Sequence, residues 1–242
     1  MNKIIFGIVL AGLMASGFVA PLSLSAMTGT AYMKNIRANY EELNNFQVQI
    51  AYTLYKGHDG DEVIESYTSS YAKSDELVYR SIGGTEYING ENYFLNVNHA
   101  QQVIIISDKS NLELLEGDLN TSLEMCRDVV VNTGTENDVI TLFIKNETDL
   151  PYSRIELKVN KKFWIQEIVF YYAGKQNFSG SYFKTDMAQP KLVVTYGEMK
   201  KRWQDKDGLA DVSRFVVLDD DKTELASVYE HYKLMDLRRR ME

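Results

Sequence analysis

The stretch YINGENYFLNVNHAQQVIIIS, residues 87–107, decides the fold. Two turn pairs, Asn89-Gly90 and Asn98-His99, separate its apolar runs, and Asn-Gly is a strong signal for a tight hairpin. Between them Tyr93, Leu95 and Val97 alternate with other residues, the period-two pattern of a half-buried strand. Residues 103–106, VIII, do not alternate, which predicts a strand covered on both sides by a following helix. The stretch therefore reads as a sheet folding back on itself, with His99 in a turn.

The pattern extends upstream. In FQVQIAYTLYK, Phe46, Val48, Ile50, Tyr52 and Leu54 point one way. A loop with Asp59-Gly60 follows, then VIESYTSSYAK and ELVYRSI, so residues 46–107 predict a meander of about five or six antiparallel strands. Before it, Tyr32, Ile36, Tyr40 and Leu43 recur at helical spacing up to Asn44-Asn45. After it, Leu112, Leu115, Leu119, Leu123 and Cys126 do the same, with Gly117 as a weak point and Asp108 or Ser110 as the cap. Strands resume as VVVNTG, DVITLFIKN, SRIELKVN, FWIQEIVFYYAG and PKLVVTYGEM, turning at Gly134, Asn146 and Asn160. RFVVL predicts a further short strand. The tail allows a helix from Thr223 or a final strand through Tyr232, Leu234 and Asp236, and the strand is favoured. The fold class is α+β, mostly antiparallel β. It is one curved sheet of roughly ten or more strands with short helices on one face.

Residues 1–26 read as a cleaved signal peptide: Lys3, an apolar run, then small residues ending at Ser25 and Ala26. The run from Ile4 to Ala20 barely reaches the ~20 residues of a spanning helix. Residues 27–242 then form a single domain, expected in a periplasm. The one cysteine, Cys126, lies far from the cleavage point, so it cannot carry a lipid there, close an internal disulfide or form a Cys-x-x-Cys pair. A net charge of −8 argues against a broad grip on nucleic acid. The basic clusters KKRW and RRR read as solvated surface.

Few residues carry chemistry. There is no Gly-x-Ser-x-Gly elbow and no phosphate loop. The histidines are His58, His99 and His231; two fall in turns, where a solvated polar role is expected. HDGDE, residues 58–62, gathers oxygen ligands, yet a tight hairpin demands the same residues. DKDGLAD, residues 205–211, lacks the distal glutamate of a calcium hand. No pair of carboxylates is marked as facing one another for glycoside hydrolysis. No catalytic residue, metal site or cofactor is predicted.

Four segments carry a resemblance: YEELNNFQVQIAYTLY, where a helix runs into a strand opening at Phe46; YAKSDELVYRSI; YINGENYFLNVNHAQQVIII; and ITLFIKN…SRIELKVNKKFWIQEIVFYYAGKQ. Over residues 32–180 the chain resembles the periplasmic outer-membrane lipoprotein carrier family, with its LolA/LolB-like fold. The resemblance implies an unclosed barrel of about eleven strands, with short helices as a lid over the concave face and an apolar cavity for acyl chains. The tail from about Lys191 departs from the family's pattern. No residue stands out as counterpart to the strand arginine that tethers the family's lid.

The cavity-lining candidates are Val48, Ile50, Tyr52, Leu54, Leu95, Ile105, Leu142, Ile144, Leu157, Ile168 and Phe170. The lid candidates are Leu112, Leu115, Leu119 and Leu123. The leading expectation is a soluble, monomeric periplasmic carrier or binding protein that shields a lipid or lipoprotein acyl chain, with a cell-envelope membrane protein as a further partner. Burial is worth about 0.8 kcal/mol per methylene of such a chain. Two other readings stay open. One is a structural or scaffold subunit of an envelope complex, using its sheet edge or its 16 tyrosines. The other is an enzyme of unknown type.

Overall fold

A computed structural model of the protein describes residues 28–75, 77–109, 124–179, 184–205, 208–218 and 222–238. The lid candidates Leu112, Leu115, Leu119 and Leu123, the weak point Gly117 and the leading segment 1–27 lie outside the described residues. Helix α1 spans Gly29–Glu41, where the Thr28 hydroxyl caps it by accepting from the Ala31 amide at 3.3 Å. It buries Tyr32, Met33 and Ile36. A Cβ on Gly29 would stand 2.3 Å from Val129 Cγ1, so only glycine lets the helix start lie directly on the sheet.

The meander comprises β1 (Asn45–Tyr55), β2 (Val63–Ser74), β3 (Leu77–Ile82), β4 (Thr85–Asn89), β5 (Phe94–Asn98) and β6 (Val103–Ser107). After the undescribed segment come β7 (Cys126–Thr133), β8 (Asn137–Ile144), β9 (Tyr152–Asn160) and β10 (Ile165–Tyr172). The remaining strands are β11 (Gln176–Asn177), β12 (Met187–Ala188), β13 (Lys191–Tyr196), β14 (Lys200–Lys201), β15 (Val216–Leu218), β16 (Thr223–Leu225) and β17 (Lys233–Asp236). The predicted turns form where expected. The Gly90 amide donates to the Tyr93 carbonyl at 2.9 Å, and Asn98 Oδ1 accepts from the Gln101 amide at 2.8 Å. The β3–β4 reversal is made by Gly83 and Gly84, both at positive φ (55° and 77°), as a two-residue hairpin requires.

One 13-stranded sheet runs in the order β17-β6-β5-β4-β3-β2-β1-β13-β10-β9-β8-β7, with β14 pairing off β1. Of these strands β13, β14 and β17 come from the tail, and the other ten precede it. The ends of the order, β17 and β7, do not pair, so the curved sheet stays open. The final strand is real: β17 lies parallel to β6, with Leu234 opposite Ile104.

Cross-strand partners share a face, so the register traces two surfaces. On the first, α1 covers Phe46, Val48, Ile50, Tyr71, Val78, Ile140, Leu142, Leu157 and Val159 in one apolar cluster. On the second, Ala72, Tyr79, Ile88, Leu95, Val97, Ile104 and Ile106 pack with Trp203, Ala210, Phe215 and Val216 of the tail. We call these the helix face and the tail face. Tyr71 and Ala72 are neighbours in β2 and both deeply buried, but in different cores. The expectation for residues 103–106 is corrected in part. Ile104 and Ile106 are fully buried, with the C-terminal tail packed over them, and Val103 and Ile105 are half-buried; the segment expected to form the following helix lies outside the described residues.

Candidate functional site

The helix face is fixed at one end by polar contacts that lock α1 to the sheet. The Tyr32 hydroxyl donates to Asp138 Oδ2 at 2.9 Å, Lys161 Nζ lies 2.5 Å from Asp138 Oδ1, and the Gly134 amide donates to the same oxygen at 3.1 Å. Burial works to raise the Asp138 pKa, but Lys161, Tyr32 and Gly134 together outweigh it and hold the carboxyl below its ordinary value. Asn39 Nδ2 donates to the Lys162 carbonyl at 2.6 Å, and the Tyr40 hydroxyl accepts from the Ile165 amide at 3.3 Å. Burial pushes the Tyr40 phenol up to about 12. Edge-on ring contacts, Tyr32 to Phe163 (5.6 Å) and Tyr40 to Trp164 (5.3 Å), complete the join.

Of the cavity-lining candidates, Val48, Ile50, Leu142, Ile144, Leu157 and Ile168 are buried in this helix-face core. Further along the same strands, Tyr52, Leu54 and Phe170 are only half-buried. The register places them side by side: Tyr52 faces Val194 and Leu54 faces Leu192 on β13, and Leu192 in turn faces Phe170. Leu95 belongs to the other side of the sheet, in the tail-face core. Ile105 pairs with Asn96, which puts it on the helix face, but near the far edge and half-buried.

Several residues that sequence periodicity did not single out join the half-buried group. Tyr67 stacks on Tyr52 at 4.9 Å, and Tyr152 contacts Phe170 at 5.0 Å and Tyr172 at 5.1 Å. Burial raises the Tyr67 phenol above its usual value. Arg80 Nη2 donates to the Tyr52 hydroxyl at 3.4 Å, so a strand arginine does stand on the helix face. Its signal was available, since Arg80 sits opposite Tyr71 in the β2–β3 register, but that register cannot be read without the pairing. The result is a half-buried aromatic wall on the helix face, continuous with the packed core.

Elsewhere the acidic loops are structural. Asp205 accepts from the Leu209 and Ala210 amides at 2.6 and 2.8 Å, and so folds its own loop. His58 Nε2 lies 3.1 Å from the Tyr172 carbonyl, and Glu62 pairs with Lys56 at 3.3 Å. His99 sits in its predicted turn but is not simply solvated. Its Nε2 is 2.9 Å from Glu86 Oε1, and the Tyr232 hydroxyl is 3.0 Å from its Nδ1. Among the described residues no helix is long and apolar enough to cross a membrane.

No family model and no curated protein matches the chain. Solved structures similar to it include a conserved protein from Thermus thermophilus (TM-score 0.42, 11% identity, covering 85% of this chain and 98% of that one). A LolA superfamily protein from Nitrosomonas europaea is similar at TM-score 0.32 and 16% identity, covering 76% of this chain and 98% of that one. A domain assigned to outer membrane lipoprotein sorting, from Vibrio parahaemolyticus, is similar at TM-score 0.33 and 9% identity, covering 75% and 95%. At these scores the likeness is one of chain trace, and the reading of function rests on the site.

Proposed function

We propose that this protein is a non-enzymatic carrier or binding protein that shelters an acyl chain of a lipid or lipoprotein against the aromatic wall of the helix face. The observation that carries the reading is the change in burial along single strands. In β1, Val48 and Ile50 are fully buried whereas Tyr52 and Leu54 are half-buried on the same face. Apolar side chains left partly open beside a finished core offer an acyl chain a dry surface, at about 0.8 kcal/mol per methylene removed from water. The tyrosines supply a polar rim, as Tyr has one apolar face and one hydroxyl that stays wet. The leading segment's signal pattern supports action after export, in a periplasm.

The test is native mass spectrometry of the protein purified from a bacterial envelope fraction, with lipid extraction. A co-purifying acyl species is expected. Leu142 is only 2% exposed, so a charge there would test folding rather than uptake. Phe170→Asp, at a half-buried position, should abolish acyl uptake while circular dichroism stays unchanged. Uptake surviving in Phe170→Asp, with the fold intact, would refute the assignment.

A second reading is favoured by β7, which ends the sheet order and leaves one ladder unpaired among the described strands. On that reading the protein is a structural subunit of an envelope complex. An acyl-free protein whose β7 amides become protected from hydrogen exchange in the envelope fraction would select it.

A further inference from the structure

We propose that a cleft on the tail face, between the β3–β4 hairpin and the C-terminal segment, binds a neutral polyhydroxylated ligand such as a sugar ring. The cleft has a volume of about 380 Å³ and is lined by Thr68, Tyr79, Ser81, Glu86, His99 and Arg214, with the Gly83-Gly84 turn and Leu209 at its lip. That volume lies in the lower part of the range of small-molecule sites. It opens on the side of the sheet opposite the aromatic wall, so the inference stands independently of acyl binding.

The lining selects the ligand. Most small-molecule sites are apolar with a few polar groups; this one carries charges and hydroxyls. An acyl chain would strip water from them and give no hydrogen bond back. The charges are already paired with one another. Glu86 accepts from the Tyr79 hydroxyl at 2.9 Å, pairs with His99 Nε2 at 2.9 Å and faces Arg214 Nη1 at 3.5 Å. Arg214 Nη1 also donates to the Leu209 carbonyl at 2.6 Å. An entering anion meets the Glu86 carboxylate, and an entering cation meets the Arg214 guanidinium. Either ion must split a pair that is partly withdrawn from water. A hydroxyl avoids this, because it donates to a carboxylate lone pair and accepts from a guanidinium N–H at once. A ligand with several hydroxyls can do this and still reach the Ser81 and Thr68 hydroxyls in the same lining.

Three further observations fit. Ser81 pairs with Ser70 and Glu86 across β2, β3 and β4, which puts its hydroxyl on the same face as Thr68 and Glu86. Burial, and then Glu86, push the Tyr79 phenol up to about 12, so it stays a neutral donor to that carboxylate. A Cβ placed on Gly83 or Gly84 would meet nothing within 4 Å, so the lip is open backbone that a ring can pass. The far wall is held in place from the tail, where Tyr232 bonds to His99 and Phe215 and Tyr229 flank its ring at 6.5 and 6.3 Å.

The test is a ¹⁵N NMR titration of the whole folded protein with glucose and N-acetylglucosamine, with glucosamine and glucuronate as charged comparisons. Neutral sugars should give saturable shifts confined to the amides of Gly83, Gly84 and His99. Ser81→Ala should weaken binding about fivefold, the net worth of one hydrogen bond. Thr68→Val, at an exposed strand position, serves the same purpose should Ser81→Ala disturb the fold. Retention on insoluble chitin or cellulose separates a polymeric glycan from a free saccharide as the source. Absence of both saturable shifts and retention overturns the inference, as does tighter binding of glucosamine or glucuronate than of the neutral sugars.

Discussion

Phe215→Ala should destabilise the protein strongly, although residue 215 lies in the tail, outside the meander. The ring is 0% exposed and sits 5.1 Å from the Tyr229 ring and 6.5 Å from His99, with the Arg214 guanidinium 4.6 Å over it. Truncating a buried phenylalanine to alanine costs about 3–5 kcal/mol through lost burial and the cavity left behind. For a chain of this size that is a fall in Tm of about 6–20 °C, at about 2–4 °C per kcal/mol. The matched perturbation on the other side is Ile36→Ala, also 0% exposed, at about 2–5 kcal/mol. Phe215 and Ile36 belong to separate clusters on opposite faces of the sheet. Their effects in urea unfolding followed by circular dichroism should therefore add to within about 0.5 kcal/mol. A Phe215→Ala cost below about 1 kcal/mol, the centre of the range for ordinary substitutions, would show that the tail is not a second core. A double variant departing from additivity by a larger margin would show that there is one core rather than two.

Tyr32→Phe removes a hydrogen bond to the buried Asp138 carboxylate and should cost about 1.5–3 kcal/mol at neutral pH by urea unfolding. The Asp138 pKa is lowered in the folded state, so its stabilisation is present above the unfolded value of about 3.9 and is lost as pH falls through the folded one. The gap between Tyr32→Phe and the parent should accordingly close on acid titration; a gap independent of pH would exclude the carboxylate. Arg238, with help from Thr223, holds the Asp236 carboxyl far below its usual value against the effect of burial. Asp236→Asn should therefore lower the urea midpoint at neutral pH and leave it unchanged in strong acid. Gly84→Ala should cost about 1–2 kcal/mol from left-handed strain alone, since its Cβ meets no neighbour; a neutral result would mean that the turn changes type.

The strands were legible because alternation is local. Phe46, Val48 and Ile50 announce a buried face without reference to any other part of the chain. What alternation cannot give is which face of one strand continues which face of the next. Leu95 and Val48 both alternate correctly, yet they point to opposite sides of the sheet. Deciding between those sides needs the full register from β1 through β5. The tail was readable as a strand but not as a cover, because its partners lie far back in the sequence. His99 looked like a solvated turn residue for the same reason, since Tyr232 reaches it only once β17 has docked on β6. Within the acyl-binding candidate, buried core residues and half-buried wall residues carry the same pattern, and only their position relative to α1 separates them.

The division between the two faces has a consequence for how the chain folds as it is made or threaded across a membrane. Everything in the helix-face cluster lies within residues 32–199. Ile104 and Ile106, by contrast, must wait for Phe215, about a hundred residues later. During that interval Leu95, Val97, Ile104 and Ile106 form a bare apolar strip on strands already able to pair. Contacts of such separation form slowly, and an unpaired strand edge beside exposed isoleucines invites association with other chains. The segment around Phe215 thus supplies the cover that this face needs.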